Sequence, residues 1–298
     1  MSFYSNGKIL ITGEYLVIDG ALSLACPSRY GQFLKFSVNK SKHINWESFD
    51  FKGNSWFKCT LSKDDLNIIS TSSEETVKTL INIIKVIREY NPSFLIKTGS
   101  KITSELTFEK TWGLGSSSTL IVNLSKLASV DPYIINSKIF NGSGYDIACA
   151  NSVSPILYRI KEDNRVIRKI DFKPSFHNNM YFIFLNKKQN TLSEIKKYKN
   201  LKPSNSMVSE ISDITMKILS CKNLENFNNL INAHEQIISS LIKRKSIKEK
   251  LFKDYKGEVK SLGAWGGDFI IATSETDPSA YFKQKGYKTI IKFEDMII

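Results

Sequence analysis

The run GLGSSST at residues 113–119 sets two glycines and three serines between an alternating apolar stretch and a long apolar one. Glycine admits left-handed backbone that is closed to other residues, and serine suits a helix N-terminus. A loop that carries the backbone N–H groups of Gly113, Leu114, Gly115, Ser116, Ser117 and Ser118 into the start of a helix can wrap an anion such as phosphate. On the residues alone, a tight strand-to-helix turn with a serine cap is an equal reading. Further glycine-containing segments stand at residues 7–21 (GKILITGEYLVIDGA), 142–150 (GSGYDIACA) and 263–271 (GAWGGDFII). They hold the side chains with the most chemical reach. Lys8 is either a working cation or a solvated strand-edge residue, and Asp146 either a base or the cap of the helix that follows it. Glu14 reads as a strand-end carboxylate, and Gly266 with Gly267 as a tight hairpin or a close approach of backbone to a ligand. Ala264 and Trp265 interrupt the last glycine segment, and Asp268 follows it.

Other chemistries find no support. The pattern G-x-x-x-x-G-K-[ST] is absent, as is an HRD catalytic loop. His43, His177 and His234 lie in unrelated contexts without zinc spacing, and the four cysteines are too scattered for a metal pair or a disulfide framework.

The elements that must position these residues follow from periodicity. KILITG (8–13), YLVID (15–19) and QFLKFSV (32–38) read as short strands. A helix is expected over 72–90, opened by a capping box of Ser72 and Glu75, carried by Val77, Leu80, Ile81, Ile84 and Ile87, and stopped at Asn91-Pro92. Strands are expected at 95–98 and 101–108, then the glycine loop, then an apolar helix over about residues 117–130. Past residue 180, a strand (MYFIFLN), some sixty residues of helical text and a glycine-broken apolar segment follow. The expected division is into domains at 1–174 and 175–298.

The 298 residues carry 42 Lys and Arg against 29 Asp and Glu, a net charge of +13. A positive field of this size draws either nucleic acid or small phosphorylated molecules. Lysines scattered through the second half favour the small molecules. No apolar run reaches the ~20 residues a membrane span needs, and the N-terminus lacks signal-peptide order, so a cytoplasmic protein is expected.

Taken in order, the segments at 7–21, 113–119 and 263–271 resemble the three motifs of the GHMP kinase superfamily, which includes galactokinase, homoserine kinase, mevalonate kinase and phosphomevalonate kinase. GSGYDIACA resembles the SGxD segment that carries the catalytic carboxylate in the mevalonate-kinase branch, and GEY at 13–15 is nearest to phosphomevalonate kinases. The resemblance implies a two-domain α+β fold, with a mixed sheet and helices first and a second sheet covered by helices after it. It implies MgATP as phosphoryl donor, with Gly113 to Ser118 holding the ATP phosphates and the Ser117 hydroxyl reaching Mg²⁺. Asp146 and Lys8 would be catalytic, and Glu14, Gly266 and Gly267 would lie on the substrate side. The implied activity is transfer of the γ-phosphate to a hydroxyl or phosphate of a small anionic acceptor, foremost mevalonate or phosphomevalonate, in isoprenoid precursor synthesis. A sugar or homoserine-type kinase, or an inactive relative binding nucleotide or RNA, are the alternatives. A small-molecule substrate, no nucleic acid, no membrane, and a monomer or homodimer complete the expectation.

Overall fold

The computed structural model describes residues 1–140, 142–162, 164–189 and 191–298, the last stretch without the side chains of Thr191 and Leu192. They form two compact units that interleave along the sequence. The first comprises Met1–Gly7, Tyr30–Lys110 and Leu114–Asn151, and the second Lys8–Arg29, Thr111–Gly113 and Ser152–Ile298. Residue 174 lies inside the second.

The first unit is built on the start of β1 (Ser2–Leu10), the greater part of β2 (Ser23–Asn39), β3 (His43–Phe49), β4 (Ser55–Ser62), β5 (Ile68–Thr71) and β6 (Gly99–Leu106), while Lys8–Leu10 and Ser23–Arg29 belong to the second. The sheet order is β5-β4-β3-β6-β2, with β1 also against β2. The β3–β6 pair is parallel, whereas β6 runs antiparallel to β2 and β4 antiparallel to β3. Helices α1 (Glu74–Tyr90), α2 (Ser116–Ala128), α3 (Pro132–Ile139) and α4 (Tyr145–Ala150) complete it. Val77, Leu80, Ile84 and Ile87 of α1 meet Trp46, Phe57, Ile102 and Ile121 in one apolar core, as the helical spacing requires.

Two local expectations are corrected in this unit. The α1 cap is Ser73, whose side chain accepts from the Thr76 amide, while Ser72 instead donates to the Lys58 carbonyl of β4. Residues 95–98 form turns, with Leu95 at φ 56°, so the strand begins only at Gly99.

In the second unit, Ser23–Ala25 at the start of β2 pair antiparallel with β7 (Ile156–Lys161), which forms a hairpin with β8 (Asn164–Lys169). YLVID folds as a 3-10 turn over Leu16–Asp19, with Tyr15 at φ 63° before it and Gly20 at φ 87° after it, instead of the expected strand. A separate antiparallel sheet has the order β10-β11-β9-β12, made of β9 (Met180–Phe184), β10 (Val259–Ser261), β11 (Phe269–Thr273) and β12 (Ile290–Lys292). β9 and β11 are buried at every position, which explains their unbroken apolar text. Helices α5 (Thr191–Tyr198), α6 (Asn205–Leu219), α7 (Leu224–Ile242), α8 (Ile247–Leu251), α9 (Ser279–Gln284) and α10 (Phe293–Met296) belong to this unit. Ile183, Phe252, Tyr255, Ile270 and Phe282 form its core. A mixed sheet with helices and a second sheet with helices are the α+β architecture expected. Among the described residues, no helix is long and apolar enough to cross a membrane.

Candidate active site

α2 starts without a side-chain cap. Its N-cap is Gly115, at φ 90°, which brings no oxygen to the first-turn amides. A helix leaves its first four N–H groups without intrahelical partners, and here they are joined by the positive end of the helix dipole. The serines do not fill the gap. Ser118 turns its hydroxyl back to the Gly115 carbonyl at 2.8 Å, and Ser117 is exposed. Thr119 is held away, donating to Gln32 Oε1 at 2.7 Å. The residues present therefore fit an anion at this terminus. α4, which carries Asp146 at its second position, packs against α2. Asp146 is half-buried.

Gly113 belongs to the second unit, and its surroundings explain the glycine twice over. Its φ is 69°, and a Cβ there would fall 2.4 Å from Asp268 Cγ. Asp268 is 8% exposed and itself adopts φ 52°, a left-handed conformation uncommon for a residue with a side chain. Its carboxylate accepts from the Gln189 amide at 3.1 Å. Burial pushes the Asp268 pKa above the ordinary value, with the Lys8 charge pulling the other way. The structure thus gathers Gly113, Lys8 and Asp268 in one place. Asp268 was not among the expected site residues, although an acid directly after Gly266-Gly267 was its visible signal. Gly266, at φ 94°, is exposed, and a Cβ on Gly267 would lie 2.6 Å from the Lys187 carbonyl oxygen. The third glycine segment is therefore pressed against residues 187–189.

Glu14 goes elsewhere. It is fully buried, with Oε1 accepting from Lys260 Nζ and Oε2 3.1 Å from His234 Nε2. Lys260 belongs to β10, and α7, packed on β10, supplies His234 and Glu235. Burial alone would raise the Glu14 pKa, but the ion pair with the Lys260 ammonium outweighs it and holds the carboxyl below its ordinary range. Burial and the Lys260 charge push the His234 pKa down. Its Nε2 accepts the Gly13 N–H at 3.0 Å. A ring nitrogen that accepts has no proton for Glu14, so the imidazole is assigned as neutral with its proton on Nδ1. Glu235, whose Oε2 accepts from Ser261 at 3.1 Å, is raised by burial to about 8 and stays protonated at neutral pH. Among the described residues, Glu14 Oε2, His234 Nδ1 and Glu235 Oε1 have no hydrogen-bond partner. Glu14 thus fixes the first glycine segment to β10 and α7. Next to it, Tyr15 stacks on Tyr198 of α5 at 5.2 Å between centroids.

Among the described residues, no group of three or more His, Cys, Asp and Glu side chains is placed to hold a metal.

No protein-family model matches the sequence, and no curated protein matches it. Solved structures do. The chain is similar to the mevalonate kinase of Methanococcus jannaschii, with a TM-score of 0.72 and 17% identity over 98% of this chain and 96% of that one. It is similar to the Streptococcus pneumoniae phosphomevalonate kinase in complex with phosphomevalonate and AMPPNP (TM-score 0.69, 14% identity, 96% and 95% covered). The galactokinase of Lactococcus lactis, complexed with galactose, gives a TM-score of 0.68 at 14% identity, with 100% and 93% covered. Identity this low establishes a common fold, and the common fold runs through nearly the whole chain.

Proposed function

We propose that the protein is an ATP-dependent small-molecule kinase that transfers the γ-phosphate of ATP to a small anionic acceptor, with mevalonate or phosphomevalonate foremost. The observation that carries this reading is the uncapped N-terminus of α2, a helix end whose first amides and dipole have no side chain to satisfy them. The fold shared with kinases for three different acceptors supports the reaction class. The low identities leave the acceptor as the finer part of the proposal.

In this reading the amides from Gly113 to Ser118 hold the ATP phosphates, and Mg²⁺ neutralises phosphate charge when bound, with Ser117 as its protein ligand. Asp146 accepts the proton of the acceptor group, the hydroxyl of mevalonate or a P–OH of phosphomevalonate, as that oxygen bonds to the γ-phosphorus, while the bond to the β-phosphate oxygen breaks and ADP leaves. Lys8 offsets the charge carried by the phosphoryl oxygens. Such positioning and neutralisation is what phosphoryl transfer asks of a protein. Glu14 acts from behind, by anchoring the segment that carries Lys8, and Gly266 and Gly267 stand on the acceptor side.

The test is ADP release from MgATP with mevalonate, phosphomevalonate, homoserine and galactose, run beside Asp146→Asn. Loss of a general base is worth about 10²- to 10⁴-fold, so the variant should lose acceptor-dependent turnover by that factor. Undiminished turnover in Asp146→Asn removes the base from the mechanism. A nucleotide-binding relative without turnover is the second reading, favoured by the Asp268 carboxylate against Gly113. ATP binding without ADP release from any acceptor would select it.

A further inference from the structure

Within the second unit, Lys187, Lys197, Arg244, Lys245, Lys250 and Glu194 line a cavity of about 720 Å³. That is the size of a small-molecule site. Its charge is unbalanced, with five cations facing one carboxylate. Glu194 spends itself on two of them, accepting from Lys197 Nζ and pairing with Arg244 Nη1, each at 2.7 Å. No carboxylate of a described residue forms an ion pair with Lys187, Lys245 or Lys250.

A second feature is independent of the charge. Trp265 is 3% exposed, lines the cavity, and its indole N–H has no hydrogen-bond partner among the described residues. A buried donor without a partner carries the full penalty of its lost hydration, so the Trp265 ring is held at the cavity wall by packing and not by a hydrogen bond. Ile247 supplies an apolar wall, and Ser261 is fixed from behind by its bond to Glu235.

We propose that this cavity is a binding site for the phosphate end of a small phosphorylated molecule. Lys187, Lys245 and Lys250 neutralise its charge, and the Glu194-ordered Arg244 and Lys197 border it. An ammonium on a flexible stem binds phosphate as a point charge, so three such groups lining one cavity favour two or more negative charges over a single carboxylate. The site stands on its own geometry and does not require the kinase reading. Joined to that reading, it makes the acceptor a phosphorylated one, because Gly266 of the third glycine segment is part of its lining.

The probe is inorganic pyrophosphate, titrated calorimetrically into the full-length protein and into Lys245→Glu and Lys250→Glu. Both lysines are exposed, so the melting temperature should stay unchanged and a loss of binding is not a loss of folding. Native protein should bind pyrophosphate with an affinity that falls as salt rises, and each charge reversal should weaken it by about tenfold or more, while Lys250→Arg retains it. Pyrophosphate affinity within twofold of native in both reversals overturns the proposal, whatever the enzyme assays give. Kinetics then separate the sources of the phosphate. A raised KM for phosphomevalonate at unchanged KM for ATP places the acceptor there, and the opposite split places the nucleotide there. Absence of turnover with intact, lysine-dependent pyrophosphate binding refutes the kinase reading and leaves the site standing.

Discussion

Two charged clusters of the second unit use the same residue types to opposite ends. Around Glu14, the charges of Lys260 and Glu14 are answered inside the protein, at zero exposure for both side chains. Around Glu194, one carboxylate pairs with Lys197 and Arg244, which are 63% and 41% exposed, and three further lysines have no carboxylate partner among the described residues. Ser261 touches both, as a donor to Glu235 on one side and as cavity lining on the other. Where charge is balanced internally and shut away from water, a substitution is felt in stability. Where it is left for something outside to balance, it is felt in binding.

Lys260→Met puts the greatest weight on that contrast. It leaves Glu14 ionisable and buried beside a neutral imidazole, and breaking a buried pair on one side costs about 3–5 kcal/mol. The variant should lose that much in urea unfolding, and adding Glu14→Gln should recover a large part of it, because the orphaned charge then disappears. If the double variant is no more stable than Lys260→Met, the loss comes from packing and the cluster is not an ion pair in any energetic sense.

Glu235→Gln has a smaller effect with a definite pH dependence. With its pKa raised from 4.5 to about 8, folded Glu235 keeps a proton that the unfolded chain sheds above 4.5. The native state therefore binds more protons than the unfolded state between those values, and stability must fall as pH rises, by at most about 1.4 kcal/mol per pH unit for one proton. Glu14 has the opposite sign. Its lowered pKa gives stability that is present above 4.5 and lost as pH falls through the folded value, so the two windows do not overlap. Gln keeps the acceptor for Ser261 and cannot ionise. Neutral, buried His234 adds the opposite slope below its ordinary value of 6.5, in native protein and variant alike, so the comparison is made above it. Melting temperatures from pH 6.5 to 8 should decline in the native protein and run more nearly level in Glu235→Gln; parallel curves would mean that Glu235 is ionised throughout.

The sequence made the locally determined parts of this molecule more legible than those set by distant partners. The glycine loop, the α2 start and the helix over Val77 to Ile87 follow from local rules of backbone freedom and periodicity, and they stand where those rules put them. The YLVID turn was not legible, because an apolar pentapeptide between two tight backbone positions satisfies strand and turn patterns alike, and the left-handed Tyr15 decides the matter. Nor was the fate of Glu14, whose partners lie some 220 to 246 residues away, at His234 and Lys260. Lys260 reads as a polar residue in a short strand, and no spacing announces that its ammonium turns inward. Asp268 was visible as an acid in a glycine segment, but its contact with Gly113 joins segments far apart in the chain.

Glu194→Gln is the matched counterpart of a change at Glu14, made in the same chemistry at a wetter place. Burial would raise the Glu194 pKa, but the hydrogen bonds and charges of Lys197 and Arg244 hold it below its ordinary value. Glu194 itself is buried, but Lys197 and Arg244 reach solvent at 63% and 41% exposure, where water and salt weaken such pairs to about 1 kcal/mol or less. The melting temperature should therefore move by no more than about 4 °C for a chain of this length. Binding should respond in the other direction. Removing the carboxylate frees two cations at the mouth of the cavity, so pyrophosphate should bind more tightly than to native protein, with a steeper loss of affinity on adding salt. A variant that is strongly destabilised, or that binds pyrophosphate no better, would put Glu194 in the same class as Glu14 and erase the distinction between a cluster closed on itself and one left open for a ligand.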